Sequence, residues 1–234
     1  MADATTALDP SLYERWRSTP LGALTEAAES RVVFELAGPL SGKRVLDVGT
    51  GDGTYAIEAG VRGAAVTALD TSPAMLQAAG DRAGRRGVSI ELCEGDVQAL
   101  PFDPERFDVV LAVTVLCSVD DVASAFRELA RVLAPGGRLV VGELGRRSTW
   151  AAKRRLQSLV RKTFWTSTRF WTPRELQREL TDAGLRVEAT RGAVYFPPLG
   201  GIARVMAPFD PALARLRGFG AAFLCVAARK PNRT

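Results

Sequence analysis

The chain has 234 residues, 47% hydrophobic and 24% charged, the balance of an ordinary globular protein that buries its core without disulfides. Its three cysteines, Cys93, Cys117 and Cys225, are too scattered for a disulfide framework or a CxxC site, and the absence of histidine removes the commonest general base and metal ligand. The net charge of +5 is unevenly placed, because Gly145 to Arg174 holds nine Arg or Lys and no Asp or Glu.

The N-terminus lacks the basic flank and apolar run of a secretory signal, and no stretch is long enough to span a bilayer, so a soluble, cytoplasmic protein with no bound metal is expected. Residues 1–40, with helical patterns around Tyr13 and from Leu24 to Leu36, read as an N-terminal cap on a single domain of residues 1–234. Five short apolar runs follow: Arg44 to Val48, Val66 to Leu69, Val88 to Leu92, Phe107 to Val113 and Arg138 to Gly142. Helical segments alternate with them. Ser72 is an N-cap before Pro73, and Val122, Phe126, Leu129 and Leu133 recur at helical spacing before a Pro135-Gly136-Gly137 turn. The alternation predicts an α/β fold, a mostly parallel sheet with helices on both faces. After a basic lid segment, residues 145–171, Thr172-Pro173-Arg174-Glu175 reads as a capping box opening a helix to about Ala183, with Gly184 as its C-terminal cap. Leu185 to Thr190 and Phe219 to Arg229 read as the last two strands.

The run Asp47-Val48-Gly49-Thr50-Gly51-Asp52-Gly53 carries a buried strand directly into alternating glycines and then a helical pattern. Such glycines permit a tight turn and a close approach of backbone to ligand at the carboxyl end of the first strand. Asp70 ends the second strand nineteen residues after Gly51, where a carboxylate accepts from ribose hydroxyls. A nicotinamide-binding site shares these two features, but it leaves Asp47, Gly95 and Asp96 unexplained. With Gly95-Asp96-Val97 after the third strand and Leu100-Pro101-Phe102 ahead of Phe107-Asp108, the pattern resembles the class I S-adenosylmethionine (SAM)-dependent methyltransferases, in the type 11 branch that includes quinone-biosynthesis methyltransferases.

The resemblance covers roughly Lys43 to Glu143. It implies a three-layer, Rossmann-like sheet of seven strands, mostly parallel, with one antiparallel strand inserted beside the sixth. It further implies that SAM is the cofactor and S-adenosylhomocysteine the product. Asp47, Gly49, Thr50, Gly51 and Gly53 would hold the methionine and sugar, Asp70 the ribose, Asp96 and Val97 the adenine, Thr71 would be a further cofactor-binding residue, and Thr114 would lie near the methionine end.

Methyl transfer is a displacement with a neutral leaving group, so alignment supplies much of the acceleration and no catalytic residue is assigned. Type 11 relatives often carry a histidine shortly after the fourth strand, where this chain reads Thr114-Val115-Leu116-Cys117-Ser118-Val119-Asp120-Asp121. Asp120 or Asp121 suits an N-cap better than a base, and Cys117 suits a small core residue better than an acceptor contact. Tyr13 and Trp16 either fold over the pocket or pack the cap down, and the irregular segment with Tyr195, Pro197 and Pro198 is expected to carry acceptor contacts.

From Trp150 to Phe164, Ala152, Leu156, Leu159, Val160 and Thr163 share one helical face and Arg154, Arg155, Arg161 and Lys162 the other. Three readings stay open: a lid with a solvated basic face, a contact with anionic membrane, or an RNA-binding patch. No RNA-binding module is recognisable, which counts against nucleic acid. The expected substrate is a small metabolite, an apolar one included; RNA or protein methylation and a SAM-binding regulator without turnover are the alternatives.

Overall fold

The structure, a computed structural model, describes residues 10–160 and 168–232. Two helices, α1 (Pro10–Arg17) and α2 (Pro20–Ala37), precede β1 (Arg44–Val48), α3 (Thr54–Val61), β2 (Ala65–Asp70), α4 (Pro73–Arg85), β3 (Glu91–Glu94) and β4 (Phe107–Val113). Then come α5 (Val122–Val132), β5 (Leu133–Leu144), α6 (Thr149–Val160), α7 (Pro173–Asp182), β6 (Arg186–Ala193), α8 (Gly200–Met206), α9 (Asp210–Leu213) and β7 (Phe223–Arg229). The strands form one seven-stranded sheet in the order β3-β2-β1-β4-β5-β7-β6. β1 to β5 are parallel, and β7 is antiparallel to both its neighbours.

A core covers each face of the sheet. Leu46, Val110, Leu139 and Val141 pack with Phe126 and Leu129 of α5 and Leu176 of α7. On the other face Val45, Leu111 and Val140 pack with Val32 and Val33 of α2, Ala56 of α3 and Ala203 of α8. The strand order reverses between β1 and β4, which opens a crevice at their carboxyl ends. Gly49 and Val115 meet there so closely that a Cβ on Gly49 would lie 2.5 Å from Val115 Cγ2.

Several expected boundaries move. Pairing of β3 with β2 begins at Thr67–Glu91, three residues later than expected, because Val88 is spent on packing over Gly60, where a Cβ would lie 2.3 Å from its Cγ1. The expected Pro135-Gly136-Gly137 turn is a bulge inside β5. Between the Phe107–Leu133 and Val109–Arg138 pairs β5 advances five residues and β4 two, and Gly136 takes the extra turn at φ +72°. β7 starts at Phe223 rather than Phe219, after Gly218 and Gly220, both at φ +82°. The capping box at Thr172 and Glu175 forms as expected.

The face assignment of the basic helix is corrected. Trp150, the largest apolar side chain of α6, sets the phase: its indole Nε1 donates to Phe196 O at 2.9 Å, and Trp150 and Ala151 are buried. One turn on, Arg154 is therefore carried to the inner side, its guanidinium 5.6 Å from the Trp150 ring centre. Ala152 and Leu156, expected to face the protein, are exposed. The side chains of Leu159 and Val160, and residues Arg161, Lys162, Thr163, Phe164 and Trp165, lie outside the described residues.

Candidate functional site

β1 delivers Asp47 fully buried, one strand from Ala68 of β2 and one from Leu111 of β4. The Thr50 hydroxyl donates to Asp47 Oδ2 at 2.6 Å. Burial pushes its carboxyl up from 3.8 to about 6, against the hydrogen bonds from Thr50 and from the Ala56 amide. The turn beyond it needs left-handed backbone at Gly49 (φ +68°), Gly51 (φ +54°) and Gly53 (φ +83°). A Cβ on Gly53 would press to 2.9 Å from Ala79 Cβ, whereas one on Gly51 would meet nothing within 4 Å. Gly51 thus faces open space. The loop spends its amides internally: Thr50 N–H donates to Leu69 O (2.9 Å), Gly53 N–H to Thr50 O (2.9 Å) and Gly51 N–H to Asp70 Oδ2 (2.8 Å). A dinucleotide loop aims such donors at pyrophosphate.

Asp70 at the end of β2 accepts from Gly51 N–H on Oδ2 and from Ser72 N–H, at 2.9 Å, on Oδ1. Each oxygen keeps acceptor capacity, and the half-buried side chain offers both to the crevice. Thr71 beside it is exposed. Past β3, exposed Asp96 accepts from the Gln98 amide at 2.9 Å while Val97 turns into the core. Thr114, just past β4, holds φ +52°, an uncommon geometry for a β-branched residue, and its N–H donates to Gly142 O at 2.7 Å. The order β3-β2-β1-β4 therefore sets Asp96, Asp70, the glycine loop and Thr114 side by side along one end of the sheet.

The N-terminal helices are fastened to that loop. Arg17, last in α1, pairs with Asp52 through both guanidinium ends and donates to Thr54 Oγ1 at 2.7 Å. Arg82 of α4 reaches the same carboxylate at 2.7 Å. Arg17 and Asp52 are 12% and 7% exposed and Arg82 27%, so the carboxylate and Arg17 are nearly buried while Arg82 keeps contact with solvent. Nothing in the periodicity singled out these three residues.

A second group gathers under the cap. Tyr13 of α1, Glu29 of α2, Cys117 after β4 and Arg154 of α6 lie in one another's electrostatic reach, and Tyr55 of α3 faces Glu29. Glu29 sits on the stripe of α2 that buries Thr25, Ala28, Val32, Val33 and Leu36. Among the described residues its carboxylate makes no hydrogen bond or ion pair. Burial raises it to about 8, against the pull of Arg154 and helped by Glu26. Burial, with Cys117 and Glu29 nearby, pushes the Tyr13 phenol to about 12, although 39% of the residue stays open to solvent. That combination describes the wall of a crevice rather than a packed core. Trp16 stays 36% exposed on α1.

Cys117 is buried with Leu144, Ala151 and Phe170, and burial holds its thiol well above the usual range. The 3-10 turn that carries it hangs on Glu143, wholly buried at the end of β5, which accepts Leu116 N–H at 2.7 Å. Asp121 caps α5, accepting Ser124 N–H at 2.9 Å. Tyr195 is not brought into this group: its ring packs on the α5–α7 core and its N–H donates to Asp210 Oδ1 at 2.8 Å. A glutamate on an otherwise apolar helical stripe was the legible sign of Glu29; Glu143 gave none, standing in a strand's last residues.

The family model described as a methyltransferase domain matches residues 46–141. An uncharacterized protein of Mycobacterium bovis is 36% identical over 203 residues, 87% of this chain and 67% of that protein. A ubiquinone biosynthesis O-methyltransferase of Azorhizobium caulinodans is 33% identical over 179 residues, 74% of this chain and 70% of that protein. Among solved structures, a SAM-dependent methyltransferase of Thermotoga maritima, a possible histamine N-methyltransferase, superposes with a TM-score of 0.71 at 24% identity, over 94% of this chain and 95% of that one.

Proposed function

From the premise that the chain belongs to the class I SAM-dependent methyltransferases, type 11 branch, and is an enzyme of that kind, we propose that it methylates a hydroxyl on a small ring-bearing metabolite held beneath α1, α2 and α6. The observation that carries this reading is Glu29, an unpaired carboxylate on the inner face of the cap, beside the row of strand ends.

The site fits the cofactor. Both oxygens of Asp70 retain lone pairs for two vicinal hydroxyls, the space over Gly51 is open, and the amides of Thr50, Gly51 and Gly53 are already satisfied, which suits a ribose better than a pyrophosphate. On this reading Asp70 and Thr71 hold the ribose, Asp96 and Val97 the adenine, and Thr50 with the Gly49 to Gly53 backbone the amino-acid portion. Asp47, neutral up to about pH 6 when unliganded, ionises when a cationic group lies beside it. The bound cofactor supplies an electrophilic methyl on a sulfonium whose departure leaves a neutral thioether. Thr114 stands at the turn where methyl and acceptor meet, and the bond from its N–H to Gly142 O holds that turn in its uncommon left-handed geometry.

Glu29 takes the hydroxyl proton as the oxygen–carbon bond forms, and Arg154 stabilises the negative charge that develops on the oxygen. Tyr13, Tyr55 and Cys117 line the space and exclude water. The nearby hydroxyl-methylating relative supports the chemistry, and the absence of histidine leaves a carboxylate as the available base. The test is transfer of labelled methyl from SAM into a metabolite extract, before and after protease and nuclease. Label in small, ring-bearing products sustains the reading; label confined to protein or RNA overturns it.

A further inference from the structure

Twelve large apolar side chains are exposed among the described residues, and ten of them lie on the segments that rim one end of the sheet. Topology puts those segments together. β5 and β6 end where β7 begins, so α6 and the α8–α9 connection rise from the same edge as the glycine loop, and Arg17 fastens α1 there too. Leu156 of α6 is 66% exposed, and between β6 and β7 Ile202, Val205, Phe209, Leu216 and Phe219 are 46%, 70%, 65%, 53% and 67% exposed. A patch of this kind marks an interaction surface.

On α6 and the β6–β7 connection the exposed charge is of one sign, while α1 carries exposed Glu14 beside exposed Arg15. Gly145 to Arg174 contains nine Arg or Lys and no acid; Leu199 to Gly220 contains three Arg and a single acid, Asp210. Asp210 is 2% exposed and tied to Arg31 and to the Tyr195 amide, so it presents no negative charge outward. Lys153 and Arg155, exposed beside Leu156, and Arg204, exposed beside Val205, place cations among the apolar side chains. No helix among the described residues is long and apolar enough to cross a membrane.

We propose that this rim is a peripheral docking surface for an anionic lipid bilayer, with the apolar side chains entering the headgroup layer and the cations meeting lipid phosphates. On α6 and the β6–β7 connection, interspersed apolar and basic side chains without exposed acid complement such a surface; a second copy of the chain would oppose like charges across a symmetric contact. Docking places the mouth of the crevice at the lipid, and that consequence alone rests on the proposed small-molecule function.

The test is co-sedimentation of the full chain with vesicles of roughly two parts phosphatidylcholine to one part phosphatidylglycerol, against phosphatidylcholine alone, at about 0.05 and 0.5 M salt. Binding is expected on the anionic vesicles at low salt and weaker at high salt. K153Q/R155Q/R204Q is expected to lower affinity about 100-fold, and V205D/F209S is expected to abolish retention. All five substituted sites are exposed, and unchanged S-adenosylhomocysteine affinity shows that each variant is folded with its cofactor site intact. No binding at low salt overturns the proposal, as does equal binding to neutral vesicles. Self-association without vesicle binding, lost in V205D/F209S, also overturns it and assigns the patch to a second copy.

Discussion

Replacing Asp70 by Ala removes the acceptor that joins Gly51 and Ser72, at 2.8 and 2.9 Å, and the acceptor proposed for the ribose. The side chain is half-buried, so water replaces it at the two amides and the fold loses about 1–2 kcal/mol. In the liganded site the two hydroxyl contacts go to a charged oxygen pair, and their loss weakens binding by about 1–3 kcal/mol, roughly 5- to 150-fold. Calorimetric titration with S-adenosylhomocysteine, which cannot turn over, measures this directly, and thermal melting separates affinity from folding. Asp70→Asn keeps one acceptor oxygen and should fall between. A folded Asp70→Ala protein whose affinity stays within about twofold of wild type would refute the ribose assignment.

Glu29→Gln should lower the turnover rate about 100-fold or more while leaving S-adenosylhomocysteine affinity unchanged, and the wild-type rate should rise with pH as the carboxyl, raised to about 8, loses its proton. A rate profile without that rise, or a variant of full activity, removes Glu29 as base. Asp47 has a folded value of about 6 against an ordinary 3.8, so its neutral form stabilises the unliganded protein below about pH 4 and that stability is lost as pH rises to 6. Asp47→Asn should accordingly stabilise the unliganded protein at pH 7.5 by about 1–3 kcal/mol and weaken the cofactor; melting curves that run parallel from pH 4 to 7 contradict this. Arg17→Met leaves Asp52 to Arg82 alone and should cost about 1–3 kcal/mol, less than a fully orphaned buried charge, with α1 cleaved faster by protease.

The sheet was legible because each crossover carries punctuation that physics enforces. The Ser72 cap before Pro73, the capping box at Thr172 and the left-handed Gly184 all stand where the sequence reading sets them. Boundaries moved where tertiary packing outweighs pattern: Val88 fills the space over Gly60, and Pro135-Gly136-Gly137 bulges within a strand. The phase of α6 failed for a related reason, since one tryptophan with a hydrogen-bond partner fixed the rotation against a stripe of smaller residues. In the site, motif residues at strand ends were readable from spacing. The convergence of Arg17, Arg82, Glu29 and Arg154 was not, because they come from distant elements and no local period records a convergence.

The Arg17–Asp52–Arg82 triad ties the cap to the loop that the cofactor must touch. Cap closure and cofactor occupancy therefore share a single free-energy linkage, and the linkage is reciprocal: whatever holds α1 down raises cofactor affinity by the same factor that bound cofactor holds α1 down. Under the proposed function, an acceptor seated beneath α1 covers the cofactor, and the order expected in turnover is cofactor first to enter and last to leave.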